Sequence, residues 1–182
     1  MWILVPIARV AGGDVNLLLL VVQGVCVAIF AVAGGLLCGV VRARIGLVPA
    51  LVAGLLLFFP RIENASLSGM EAALFLLIFA ALIIEALRSG ALSNPEPRAS
   101  DARTGALVGL LMLARLDSVF VGLTLAAWVG VQGLSGGEGT PAERLLRTAR
   151  KGLVVFWPAA LLLVPYLAWN RLEFGHFVPI SG

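Results

Sequence analysis

The stretch GALVGLLMLARLDSVFVGLTLAAWVGVQGL, residues 105–134, decides the fold. It is either one apolar helix with an arginine and an aspartate in its middle, or two helices folded back at a polar break, Arg115-Leu116-Asp117-Ser118. The distribution of basic residues separates the two readings, because short loops on the cytoplasmic side of a membrane protein carry an excess of Lys and Arg. With a hairpin, Arg42, Arg44, Arg88, Arg98, Arg103, Arg144, Arg147, Arg150 and Lys151 share one side. Arg9, Arg61, Arg115 and Arg171 are then left on the other, a nine-to-four split of the 13 basic residues. With a single helix the split becomes six to six and Arg115 lies inside the membrane. The hairpin is the expected arrangement.

Outward from this stretch, the same solvent logic holds. Sixty per cent of the residues are hydrophobic and the mean hydropathy is +1.05, more apolar surface than 182 residues can hide in one aqueous core. Charges cluster between the apolar runs, as a hydrocarbon solvent requires. The expected fold class is therefore all-α: a polytopic transmembrane helical bundle with an interfacial N-terminal helix and a short helical hairpin. The whole chain, 1–182, reads as one partial transmembrane domain, with apolar segments at about 15–41, 47–59, 70–87, 105–113, 119–134 and 152–168. Residues 1–11 are too short to span, since a crossing needs about 17–25 residues. Trp2, Pro6 and Arg9 suit an interfacial helix, and the segment lacks the basic start and small-residue cleavage site of a signal peptide. Segment 47–59 is short and contains Pro49, which allows a tilted or partly re-entrant helix.

The net charge of +3 does not point to nucleic acid, because the basic residues are spread over several loops without interleaved aromatics. Cys26 and Cys38 lie twelve positions apart in one apolar run, roughly 18 Å along a helix, too far to bridge one another. No metal site is expected. His176 is the sole histidine and has no second His, Cys or close carboxylate pair beside it.

The hairpin topology brings three polar segments to the exoplasmic side: residues 61–71, Arg115–Ser118, and the tail from Asn170 to Gly182. Their candidate ligand-binding residues are Glu71, Arg115, Asp117, Asn170, His176 and Ser181. Each also has a plain structural reading. On a regular helix Arg115 and Asp117 would point to nearly opposite faces, while in a turn they can share a pocket or simply be solvated. Glu71, just past Ser68 and Gly69, can complement a helix macrodipole. The pairs Gly35-xxx-Gly39 and Gly105-xxx-Gly109 can be helix contact faces, although such spacing is common in a chain with 21 glycines. Glu85 and Arg88 sit near the cytoplasmic end of their segment and read as snorkelling or locally paired.

Three motifs carry a family resemblance: Ser68-Gly69-Met70-Glu71-Ala72-Ala73-Leu74, then Leu113-Ala114-Arg115-Leu116-Asp117. The third is Trp169-Asn170-x-x-x-Phe174-Gly175-x-x-x-Pro179-x-Ser181-Gly182. In this order they resemble the integral-membrane glycosyltransferases of the GT-C superfamily, especially bacterial members related to the mycobacterial arabinofuranosyltransferases. The resemblance covers nearly the whole chain. The last motif is fairly specific, the first moderately so, and the second weak alone. It implies an enzyme of the bacterial plasma (inner) membrane that works on its exoplasmic face. A polyprenyl-phosphate sugar would be the donor, a hydroxyl of a glycan, lipid or protein the acceptor, and the bilayer the medium, with no cofactor identified.

Such chemistry needs a carboxylate to take the acceptor proton and cationic or donor groups to stabilise the departing lipid phosphate. Arg115, Arg171, His176 and the Asn170 amide are suited to the phosphate or sugar, and Glu71 and Asp117 to orienting groups. The resemblance also implies a catalytic Asp in a loop between an initial transmembrane helix and the interfacial helix. Here the chain opens at what looks like that interfacial helix, and Asp14 does not match. The expectation is therefore an internal or truncated fragment, inactive alone, whose catalytic residue is unknown and lies upstream. The competing class is a non-enzymatic membrane protein, a piece of a transporter or flippase. Such proteins place ionisable residues inside spans or break helices in repeated halves, and no internal repeat is evident.

Overall fold

The computed structural model describes residues 15–58, 69–90, 96–115, 118–135 and 140–177, with the backbone alone at 15, 18, 56–58 and 69–71. The expected interfacial helix at 1–11 and the polar segment 61–68 lie outside the described residues. Every element among the described residues is an α-helix: α1 Val15–Arg44, α2 Leu47–Phe58, α3 Gly69–Ser89, α4 Ala99–Ala114, α5 Val119–Ser135 and α6 Pro141–Phe174. Three stretches are long and apolar enough to cross a membrane: Leu19–Arg44, Ala72–Ser89 and Pro141–Phe174. Helix α5 is apolar but shorter, and α2 has only 12 residues.

The helices form two compact units, residues 1–80 and 81–182, with the boundary inside α3. In the first, α1 ends on Arg42 and Arg44, and Gly46 turns the chain at a φ of 121°, a conformation that favours glycine. Helix α2 then folds back along α1, so that Gly54 faces Cys38, whose Sγ lies 3.3 Å from where a Cβ on residue 54 would stand. Phe30 and Ala33 of α1 meet Leu76 and Ala80 of α3 in a small core flanked by Leu37 and Leu77.

In the second unit, α4 and α6 are the most intimate pair. A Cβ at Gly105 would overlap the Val155 carbonyl oxygen, and one at Gly109 would stand 2.8 Å from the Ala159 Cα. The register is constant: residue 105 meets 155 and residue 109 meets 159, so the two helices run parallel. Helix α5 returns between them in sequence. Gly122 lies beside Val108 and Met112 of α4, while Gly133, fifteen Å or so further along by helical rise, packs on Thr148 of α6. An up-down-up arrangement follows. The expected hairpin is thus present, with its break where the sequence places the Arg115–Ser118 turn.

Two helices start earlier than their apolar runs. Helix α4 was expected over 105–113 but begins at Ala99, where the Asp101 carboxylate accepts the Arg98 N–H at 2.9 Å. Helix α6 was expected over 152–168 but spans Pro141–Phe174. It opens on a capping box, with the Thr140 N–H donating to Glu143 at 2.9 Å and Pro141 in the first turn. At 34 residues it is about 51 Å long, well beyond a hydrocarbon core of about 30 Å. The stretch 141–151, expected as part of a polar loop, is therefore helical, and so are the first five residues of the tail, 170–174.

Candidate functional site

Among the described residues, helical geometry between α4 and α5 is lost at Arg115. Arg115 is extended, with φ −151° and ψ 124°, while its N–H still donates to the Leu111 carbonyl at 3.0 Å. The Ser118 N–H then donates to the Arg115 carbonyl at 3.0 Å and restarts the chain into α5. Arg115 is exposed. Ser118 is only 2% exposed, and its Oγ finds no hydrogen-bond partner among the described residues.

Asn170 stands at the same end of this unit. It lies eleven residues beyond Ala159, three helical turns, and so on the face of α6 that packs against α4. Helix α4 ends at Ala114, in register with residue 164, so Asn170 lies about 9 Å beyond the end of α4 by helical rise, on the side of the Arg115 break. Asn170 is 4% exposed, and its Nδ2 likewise finds no partner among the described residues. Buried polar groups are normally satisfied, and leaving one unpaired costs about 1–3 kcal/mol. Two such groups at one end of the three-helix unit, like Asp101 Oδ1 and Arg144 Nε at the other, mark a place where a polar ligand can complete the hydrogen bonding.

The beginning of the tail is held by Arg171. Its guanidinium donates to the Gly175 carbonyl and lies 5.4 Å from the Phe177 ring centroid, a cation–π distance. Gly175, at φ 74°, closes α6 with its N–H on the Arg171 carbonyl at 3.1 Å. His176 is exposed next to this clamp. Among the sequence candidates, the structure thus brings Arg115 and Asn170 to one end of the unit, with His176 just beyond. Glu71 lies in the first turn of α3, in the other unit, and its side chain is outside the described residues, as are Asp117 and Ser181 entirely. No group of three or more His, Cys, Asp or Glu suited to a metal occurs among the described residues.

The opposite end of the unit holds a polar cluster that sequence reading missed. Asp101 is 1% exposed and Lys151 2%, with Thr104 buried beside them. The register that pairs 105 with 155 also pairs 101 with 151, and the two charges act on one another. The signal was present as two stripes at four-residue steps, Asp101-Gly105-Gly109 and Lys151-Val155-Ala159.

Comparison with protein-family models, with curated proteins and with solved structures finds no match.

Proposed function

We propose that this chain supplies the lipid-donor end of a membrane glycosyltransferase that moves a sugar from a polyprenyl phosphate to an exoplasmic acceptor hydroxyl. The reading rests on one observation together with the motif resemblance: Ser118 and Asn170 are buried, unsatisfied polar groups at the end of the bundle where Arg115 breaks α4. In the reaction the acceptor oxygen bonds to the anomeric carbon, the bond from that carbon to the phosphate oxygen breaks, and a carboxylate takes the acceptor proton. The phosphate leaves with its negative charge. In this reading Arg115 meets that charge at headgroup depth, and the Asn170 amide donates to a phosphate or sugar oxygen. The long prenyl tail can remain in the bilayer throughout.

The test is sugar transfer by membranes carrying the gene product as it occurs natively, assayed with a panel of labelled polyprenyl-phosphate sugars. Arg115→Ala should lower transfer roughly ten- to a hundredfold, the loss expected for a charge-assisted contact worth about 1.5–3 kcal/mol. Glu85→Gln, near the far end of α3, should transfer normally. Full activity in both Arg115→Ala and Asp117→Asn would remove these site assignments. Absence of transfer by folded protein across the panel would remove the enzyme reading.

One observation favours the second reading, a transporter or flippase piece. The Asp101–Lys151 pair is buried between helices, and ionisable residues inside helical bundles often mark ion or substrate paths. A flipping assay with the same lipid-linked sugars, active where transfer is absent, would decide for it.

A further inference from the structure

We propose that the basic end of the second unit, at the start of α6, is a binding surface for anionic glycerophospholipid headgroups. It is independent of the glycosyltransferase reading. The first four turns of α6 divide into three sectors around the helix axis. Thr148 and Val155 face the neighbouring helices, against Gly133 and Gly105. Leu146 and Leu153, one heptad apart, are 72% and 70% exposed and form a single stripe that continues to the exposed Trp157 and Val164. Arg150 lies one heptad before Trp157, at the edge of that stripe, Arg147 about 60° further round towards the packed face, and Arg144, whose Nε finds no partner among the described residues, next to the packed face itself.

The occupant follows from this layout. An exposed apolar stripe of Leu146, Leu153 and Trp157 that leads into a membrane-length helix fits acyl chains. Arginines along its edge, at its outermost turns, reach the level of the phosphates by snorkelling. The register adds Arg98 and Arg103 of α4 to the same end. Arg98, Arg103, Arg144, Arg147, Arg150 and Lys151 outnumber the acids described at that end, Glu96, Asp101 and Glu143, and Asp101 faces Lys151. A polar protein partner would leave the leucines uncovered. A zwitterionic lipid would leave the clustered positive charge uncompensated. An anionic lipid satisfies both, with its headgroup at Arg147 and Arg150 and its chains along Leu153 and Trp157, about 5–15 Å deeper by helical rise.

The experiment uses the full chain with Trp157 as its single tryptophan (Trp2→Phe, Trp128→Phe, Trp169→Phe), reconstituted in phosphatidylcholine vesicles. A fixed share of the lipid is either brominated phosphatidylglycerol or brominated phosphatidylcholine, and quenching of Trp157 reports which lipid occupies the stripe. Phosphatidylglycerol should be preferred roughly fivefold at low salt, falling towards onefold in 0.5 M NaCl as the charges are screened. Arg144→Gln/Arg147→Gln/Arg150→Gln should abolish the preference, and the corresponding Lys variant should keep it. Equal quenching by the two lipids at low salt would overturn the proposal and leave the arginines to a protein partner. So would a preference that survives in the folded Gln variant. Should that variant fail to fold, a preference in the unsubstituted arginine chain that does not respond to salt would overturn it equally.

Discussion

Helices α1 and α4 carry the same small-residue spacing and use it in opposite ways. At Gly105 and Gly109 the added Cβ would run into α6 backbone, whereas at Gly35 and Gly39 nothing lies within 4 Å. The difference is in the partner, not in the motif. Helix α6 offers Val155 and Ala159 at the matching four-residue step, so two backbones close along the whole stripe. The partners of α1 meet it elsewhere, through Cys38 and Gly54 on one side and Phe30 and Ala33 on another. A glycine pair therefore marks a contact only where a second stripe of the same period stands in register with it.

The largest effect should come from the end of that paired stripe. Lys151→Ala leaves the Asp101 carboxylate buried without its counter-charge and should destabilise the second unit by about 3–5 kcal/mol. Asp101→Leu/Lys151→Met should recover most of this, as denaturation in detergent followed by helical circular dichroism would show. If the single and double variants unfold alike, the two residues are not a pair and the register fails with them. Next, Gly105→Val should cost about 2–3 kcal/mol, because the obstructing atoms are backbone and cannot turn aside. The smallest effect should be Gly35→Ala, which fills open space in a helix and should stabilise by up to about 1 kcal/mol through lower chain entropy. A loss of stability there instead would mean that α1 has a partner along that face and would erase the contrast with α4.

The apolar runs made the cores of the helices readable, and the charge asymmetry made the hairpin readable, because both follow from one-dimensional patterns. The polar beginnings of α4 and α6 escaped because hydropathy cannot separate a solvated helical turn from a loop. The Thr140-Pro141-Ala142-Glu143 sequence did carry that information as a cap with proline in the first turn. The burial of Asp101 and Lys151 could not be read from either stretch alone, since a charged residue at a helix start looks solvated until the facing helix is known. At the candidate site, the break at Arg115 was legible from its position between two apolar pieces. The orphaned Ser118 hydroxyl and Asn170 amide were not, because satisfaction of a polar group is a property of its neighbours.

The constant register between α4 and α6 also sets a schedule. Asp101 leaves the ribosome fifty residues before Lys151, an interval of roughly 3–10 s at about 5–20 residues per second. During that interval α4, with 16 residues, falls just short of the roughly 17 a crossing needs, α5, with 17, only reaches that limit, and the Asp101 carboxylate has no cation to face. The packing of this unit is thus complete only once α6 has emerged, and a ribosomal pause placed before residue 151 leaves Asp101 without the charge it faces and Gly105 and Gly109 without the backbone they meet.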